Sequence, residues 1–236
     1  MGETPQKCNL QKICFPRGLD AEEMKSFEES AHKTVKVTRK QKLYQRTQPL
    51  TSLYAIKAGS IKTSFSSTQG QTQVLGFHMA GDLLGLDGFA TDRHTSDAVA
   101  MEDSLLLELP IENFESLCQI MPSLRKIMMQ QVGSEINRSQ ALALTLGQMQ
   151  TDERLATYIL RMSCYFKSRG FSSTEFNLPM PRNDLANYLG MAPETLSRTI
   201  AKMEKQSILK FNRREITIFS IEGLINMAHD ICVAAE

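Results

Sequence analysis

The sequence has no apolar run approaching the roughly 20 residues that a membrane-spanning helix needs. Its first residues, MGETPQKCNLQKIC, hold no apolar stretch of the signal-peptide kind. Together these absences lead to the expectation of a cytoplasmic protein with no membrane partner. Charge of one sign is not in excess either. The 27 Lys and Arg against 26 Asp and Glu leave a net charge of +1, so the molecule as a whole is no polycation. Cysteine is sparse, odd in number and scattered, at Cys8, Cys14, Cys118, Cys164 and Cys232, which excludes a disulfide framework. Histidine is limited to His32, His78, His94 and His229, with no H-x-H pair. An enzyme built on a β-roll would need clustered His and carboxylate ligands, so neither a metal site nor an enzyme is expected. His78 reads as a core or surface position of a roll. There is no internal repeat and no low-complexity segment.

What is present begins with length. A chain of 236 residues suffices for two ordinary domains. Charge is uneven along it. Lys33 to Lys62 carries eight Lys or Arg and no acid, read as solvated strand faces. Arg182 to Arg214 carries seven Lys or Arg against Asp184, Glu194 and Glu204.

The pattern of elements changes twice. "LDAEEMKSFEESA" reads as a short helix capped by Asp20, with acids in its first turn. From Thr34 to about Leu109 short β-rich runs alternate with glycines, as in an antiparallel roll, and Gly70 marks a hairpin between "SFSSTQ" and "QTQVLG". After Pro110 the chain becomes helical. "IENFESLCQIM" is a short amphipathic helix. The next spans roughly 28 residues, about 42 Å at 1.5 Å per residue. Along it Met129, Val132, Ile136, Ser139, Ala143 and Leu146 follow a 3-4-3-4-3 spacing, a seam of a/d type. Such a stripe either packs on its own domain or pairs with a second copy, and so long a helix favours the pair. Another helix, "TDERLATYILRMSCYFKSRGF", starts at Thr151, read as its cap, and turns Leu155, Ile159 and Met162 inward. "ILKFNRREITIF" is a hairpin with basic residues at its tip, and "IEGLINMAHDICVAA" a last helix.

"DLANYLGMAPETLSRTIAKM" meets the physical requirements of a helix-turn-helix. Ala186 is small where two helices must cross, and Gly190 allows the turn. Leu185, Leu189, Leu196 and Ile200 supply a buried face, and Pro193 pre-sets the start of the second helix. Glu194, Thr195, Ser197 and Arg198 are then left on the outer, N-terminal face, the end of a recognition helix that reaches base edges in the major groove. Arg donates two hydrogen bonds to guanine, Glu accepts from cytosine, and Ser suits several partners. An i,i+4 salt bridge between Glu194 and Arg198 is the plain alternative. Arg182, Lys202, Lys205, Lys210, Arg213 and Arg214, with Thr195, are candidates for contact with the DNA backbone, which supplies salt-dependent affinity without sequence information.

A β-roll, a long seam helix and a C-terminal winged helix-turn-helix, in that order, resemble the cAMP receptor protein/FNR family of bacterial transcription regulators. "GDLLGLDGF", "DERLATYIL" and "RNDLANYLGMAPETLSR" carry the likeness over nearly the whole chain. The E-x-x-S-R form and "CNLQKICFP" resemble the FNR branch. The resemblance implies an α+β fold. Its parts are an N-terminal segment (1–20), an antiparallel β-roll of the cyclic-nucleotide-binding jelly-roll type (21–120), a dimerisation helix (121–149) and a winged helix-turn-helix DNA-binding domain (150–236). It implies a sequence-specific regulator, a homodimer on an inverted repeat of TTGAT-like half-sites in double-stranded DNA, with RNA polymerase as a further partner. Glu194, Ser197 and Arg198 occupy the family's base-reading positions.

The departures concern the signal. The oxygen-sensing members hold a [4Fe–4S] cluster through three N-terminal cysteines and one in the roll. Cys8 and Cys14 match two of these, while Pro5 and Leu107 stand where the other two belong. A cubane needs a ligand at each iron, so a [4Fe–4S] cluster is not expected; Cys118 or Cys164 would serve only if the fold carried them close. An alternative is a redox-responsive regulator using Cys8 and Cys14 as a thiol pair or as ligands of a non-standard cluster. The cAMP-binding members use Gly-Glu for the ribose and Arg-Ser for the phosphate. Here Gly81 precedes Asp82, and "RHTSDAVA" displaces Arg93. An anionic phosphate buried without a paired cation is costly, so cAMP is not expected. Oxygen-sensing relatives carry an acid near the middle of the seam, where this chain has Ser139, so a dimer is expected without any signal ligand.

Overall fold

A computed structural model describes residues 19–30 and 33–228, which form two compact units divided between Glu135 and Ile136. The division falls inside the long helix, so that helix contributes to the core of each unit.

The first unit opens with α1 (Ala21–Ser30). Asp20 caps it as expected: its Oδ1 accepts from the N–H groups of Glu22 and Glu23, and Glu23 returns a carboxylate to the N–H of Asp20. Eight strands follow: β1 (Lys33–Val37), β2 (Lys42–Tyr44), β3 (Ser52–Ala58), β4 (Ser60–Ser66), β5 (Thr72–Met79), β6 (Leu83–Leu84), β7 (Asp97–Ala100) and β8 (Ser104–Pro110). They build two four-stranded antiparallel sheets, ordered β1-β8-β3-β6 and β2-β7-β4-β5. This is the expected roll. The β4–β5 hairpin turns at Gly70, whose positive φ of 81° suits glycine. The short strands β2, β6 and β7 are absent from the sequence reading, because two to four residues leave no alternation to detect.

The run "SLLLELP" of β8 is apolar without alternation because both its faces are covered. Leu106 joins Val37, Tyr44, Ile56, Ile61 and Leu84 between the sheets. Leu107 and Leu109 face the other way, against Phe27 of α1, Phe114 and Leu117 of α2 (Ile111–Ile120), and Leu124, Ile127 and Met128 of α3 (Pro122–Gln148). Ser123 at the start of α3 also hydrogen-bonds to Glu23 of α1.

The second unit contains the end of α3, then α4 (Thr151–Ser168), β9 (Glu175–Asn177), α5 (Arg182–Tyr188), α6 (Pro193–Lys205), β10 (Leu209–Asn212), β11 (Glu215–Ile218) and α7 (Ile221–Met227). The cap of α4 is Gln150, one residue earlier than Thr151, because the reciprocal box closes between Gln150 and Glu153. Strands β10, β11 and β9 form an antiparallel sheet in that order. Helix α7 ends at Met227, where Ala228 turns extended, short of the helix expected through residue 235; residues 229–236 lie outside the described ones. Among the described residues no helix is long and apolar enough to cross a membrane.

Candidate nucleic-acid interface

Helices α5 and α6 are joined through Gly190, whose φ is +61°. A side chain there would be strained, and its Cβ would lie 2.7 Å from Leu146 Cδ2. Ala186 is fully buried where the helices cross. Leu185, Leu189, Leu196 and Ile200 are buried as well, so the pair packs through the residues that the spacing singled out. Pro181 stands at the N-cap of α5 and Pro193 in the first turn of α6.

The opposite face of α6 is open. Glu194, Ser197 and Arg198 are exposed and Thr195 is half-buried. No Glu194–Arg198 ion pair forms; the Arg198 Nη2 donates instead to Thr195 Oγ1 at 3.3 Å. Ser197 Oγ donates to the carbonyl of Pro193 at 2.9 Å, which fixes its hydroxyl along the helix and leaves its lone pairs outward. The N-cap residue Ala192 offers no side-chain hydrogen bond to the first-turn N–H groups.

The cations divide into two groups. Lys205, Lys210 and Arg213 are exposed, and Arg214 is half-buried at the hairpin tip. Arg213 holds a positive φ of 54°, a conformation that glycine or asparagine would adopt more easily. Lys202 and Arg182, by contrast, are engaged within the unit. The Lys202 ammonium pairs with Asp152 of α4, which also accepts from Thr199 of α6. The Arg182 guanidinium stacks over Phe211 at 4.8 Å and donates to its carbonyl. Both residues thereby brace α6 and the hairpin. Glu204 does the same, accepting from the N–H of Phe211 at 2.9 Å.

Sequence reasoning missed Arg154. Its Nε donates to the carbonyl of Met149 at 2.9 Å and its Nη2 to that of Leu146 at 3.1 Å, both at the end of α3. Its Nη1 donates to the carbonyls of Leu189 and Gly190 at 2.9 and 3.1 Å, in the turn between α5 and α6. The signal available was a lone arginine within "DERLATYIL", but main-chain acceptors have no signature in sequence.

The seam residues are partly free. Met129 and Ile136 are 63% and 52% exposed, and Ser139 and Ala143 are exposed too. Val132 is half-buried against the roll core, and Leu146 lies beside Gly190.

In the roll, His78 is buried and shares a hydrogen bond with Thr63 at 3.1 Å. The turn at Leu86–Gly88 carries Asp87. Its Oδ2 accepts from the N–H groups of Thr95 and Ser96 and from both their hydroxyls, and its Oδ1 meets His94 Nδ1 at 3.2 Å. Burial pushes the Asp87 carboxyl up, but the hydrogen bonds from His94 and Ser96, helped by the His94 charge and the Thr95 N–H, outweigh it and hold it below the ordinary value. His94 itself is buried and stacked on Tyr44 at 3.7 Å. Arg93 donates to the carbonyl of Thr47 at 2.7 Å, and with Arg46, Phe65 and Leu75 it lines an open cleft of about 520 Å³. Asp82 accepts from the N–H of Met79. Leu107 is 7% exposed within the core; Cys118 lies in α2 of the first unit and Cys164 in α4 of the second. Cys8 and Cys14 lie outside the described residues. Among the described residues no group of three or more His, Cys, Asp or Glu could hold a metal ion.

Residues 34–120 match the cyclic nucleotide-binding domain and residues 153–227 the Crp-like helix-turn-helix domain. The Fumarate and nitrate reduction regulatory protein of Escherichia coli (strain K12) is 37% identical over 223 residues, 94% of this chain and 89% of its own length. The transcriptional regulatory protein btr of Bordetella pertussis is 35% identical over 217 residues, 92% of this chain and 90% of its own. Among solved structures, FixK2 from Bradyrhizobium japonicum superposes with a TM-score of 0.77 at 24% identity, over 84% of this chain and 97% of that one.

Proposed function

Since the chain belongs to the cAMP receptor protein/FNR family of DNA-binding transcription regulators, which are not enzymes, we propose that it acts in the cytoplasm as a homodimer on an inverted repeat of TTGAT-like half-sites. The observation that carries this reading is the open end of α6. Glu194, Ser197 and Arg198 face solvent, and Arg198 is not neutralised by Glu194. A recognition helix needs its reading groups free of strong partners before DNA arrives, and here Arg198 and Ser197 hold only single hydrogen bonds within their own exposed turn, with capacity left for a base. Lys205, Lys210, Arg213 and Arg214 then meet phosphates. Lys202 and Arg182 are left out of this set, because Asp152 and Phe211 hold them. The exposed Met129, Ile136 and Ala143 recur every seven residues and are the seam for the second copy. Ser139 puts no charge between the partners, so the dimer forms without a signal ligand. Micromolar monomers in sedimentation would overturn that part. RNA polymerase is the partner of the DNA-bound dimer.

The roll does not take up a cyclic phosphate at the Asp87 turn. The N–H groups and hydroxyls of Thr95 and Ser96, which could cradle an anion, already converge on the Asp87 carboxylate. Arg93 points its guanidinium at Thr47 instead. A family-type [4Fe–4S] cluster is not its signal either, for Leu107 offers no sulfur. An absorbance spectrum of anaerobically purified protein tests this; a charge-transfer band near the visible would overturn it.

The base-reading role is tested by fluorescence anisotropy. Arg198→Ala costs about 1–3 kcal/mol on a TTGAT-type repeat and relaxes the preference at the base it reads. An equal loss on random-sequence DNA would remove the role.

A further inference from the structure

The Arg154 side chain is the feature that base and phosphate recognition leaves unexplained. Four of its N–H···O contacts go to main-chain carbonyls, two at the end of α3 and two in the turn that precedes α6. The Leu146 carbonyl is among those that a helix end leaves without an intrahelical partner, and Leu189 is the C-cap of α5. One guanidinium thus sits at the negative ends of two helices, where a cation is favoured. The same turn is fixed sterically, since Gly190 packs so close to Leu146 that a Cβ would clash. Leu146 is also the last residue of the seam. The end of the dimerisation helix and the turn of the helix-turn-helix are therefore joined at one point, by one charge and one apolar contact.

We infer that Arg154 is a positioning residue that sets the distance and angle between the two recognition helices of the dimer, and so the spacing of half-sites that the protein accepts. The inference rests on the dimeric DNA-binding reading above. Inserting or removing one base pair between half-sites rotates one of them by about 34° and shifts it by about 3.4 Å. A dimer penalises that change only if each recognition helix is rigidly tied to the shared seam. Ordinary helix packing allows shear, whereas a planar fork fixed on four carbonyls does not. Lysine cannot replace it, because a single ammonium nitrogen cannot reach acceptors on both segments in the fixed directions of a guanidinium.

The experiment compares the parent with Arg154→Lys and Arg154→Gln on four duplexes: a single half-site, the inverted repeat at its best spacing, and the same repeat one base pair longer and one shorter. The parent binds its best repeat roughly a hundredfold tighter than one half-site, the gain from linking two sites, and loses most of that gain at the other spacings. Both variants bind the single half-site within about twofold of the parent, as their reading groups are intact. On the best repeat they lose about tenfold, and the three spacings converge. Sedimentation keeps both variants dimeric. A variant that retains the parental spacing penalty overturns the inference, as does a loss equal on all four duplexes that follows a lowered melting temperature. The variants differ in charge, so a folding defect from a misplaced cation in one spares the other. Failure of the underlying reading has a different signature, read on a scrambled control duplex run beside the four: the parent itself would not distinguish the repeat from it.

Discussion

Asp87 in the roll and Glu194 in the DNA-binding unit are both acids in the first turn of a helical segment, and they meet opposite fates. Asp87 collects hydrogen bonds from His94, Thr95 and Ser96. Glu194 stands exposed and does not even pair with Arg198, four residues on. The neighbouring cations repeat the contrast. Arg93 beside the roll turn is tied to a backbone carbonyl, while Arg213 at the hairpin tip is extended into solvent at a backbone conformation that costs energy. The roll has an internal anion where an external one could sit. The helix-turn-helix keeps its anion- and base-seeking groups outward and uses a different set, Arg154, Arg182 and Glu204, to brace itself. The bracing residues there are not those of the exposed α6 face, and this separation leaves that face open for the reading proposed above.

The largest test of this contrast is Asp87→Ala. It leaves the Thr95 and Ser96 donors without their acceptor and lowers the stability of the roll by about 2–3 kcal/mol in urea denaturation. An unchanged transition would break the comparison. Its pH dependence follows from the sign of the shift. The folded carboxyl lies below its unfolded value, so its contribution is complete above the ordinary carboxylate range and is lost as pH falls through the folded value. The stability gap between the parent and Asp87→Asn therefore narrows as pH drops below about 4. Next in size is Ser139→Glu, which sets like charges across the seam and weakens the dimer by about 2 kcal/mol, roughly thirtyfold in the dissociation constant read by sedimentation. A seam that is not an interface would show no change.

Arg213→Gly sharpens the comparison because two readouts move in opposite directions. Removing the left-handed arginine stabilises the fold by up to about 1 kcal/mol in thermal melts. It also lowers the salt dependence of DNA binding by about one in the log–log slope. Lys202→Met is the smallest. Its charge is already met by Asp152, so DNA affinity changes by less than about twofold. A loss as large as that of an exposed lysine would return Lys202 to the phosphate set.

Much of this contrast was legible in sequence on one side only. The helix-turn-helix announces itself because Ala186, Gly190, Pro193 and the buried leucines are local requirements, all within one short stretch. The tip of the hairpin is legible for the same reason. The openness of Glu194 and Arg198 was not, since the same spacing suits a salt bridge; the choice falls to Thr195, whose hydroxyl accepts the guanidinium. In the roll, β2, β6 and β7 exist through pairing with distant strands, as when Tyr44 meets Ala98. Asp87 looked like one acid among many, because its partners lie seven to nine residues further on, and only the turn brings the His94, Thr95 and Ser96 side chains and two backbone N–H groups to its carboxylate. Arg154 was hidden for the mirror reason, as all its acceptors are carbonyls. The engagement of Lys202 with Asp152 and of Arg182 with Phe211 was not legible, because sequence counts cations but does not show which carboxylate or ring the fold brings to them.

The clamp around Arg154 has a consequence for how this chain can change over generations. Its acceptors are main-chain oxygens, so substitutions at Met149, Leu189 or even Leu146 leave the hydrogen-bonding atoms in place. The neighbourhood can drift while the arginine cannot. A junction that depends on side-chain pairs could be rebuilt by compensating changes on either side. This one has no second side-chain hydrogen-bonding partner to mutate, so a single codon is its point of failure, and what changes around it is limited by packing at Leu146, Met149, Leu189 and Gly190 rather than by hydrogen bonding.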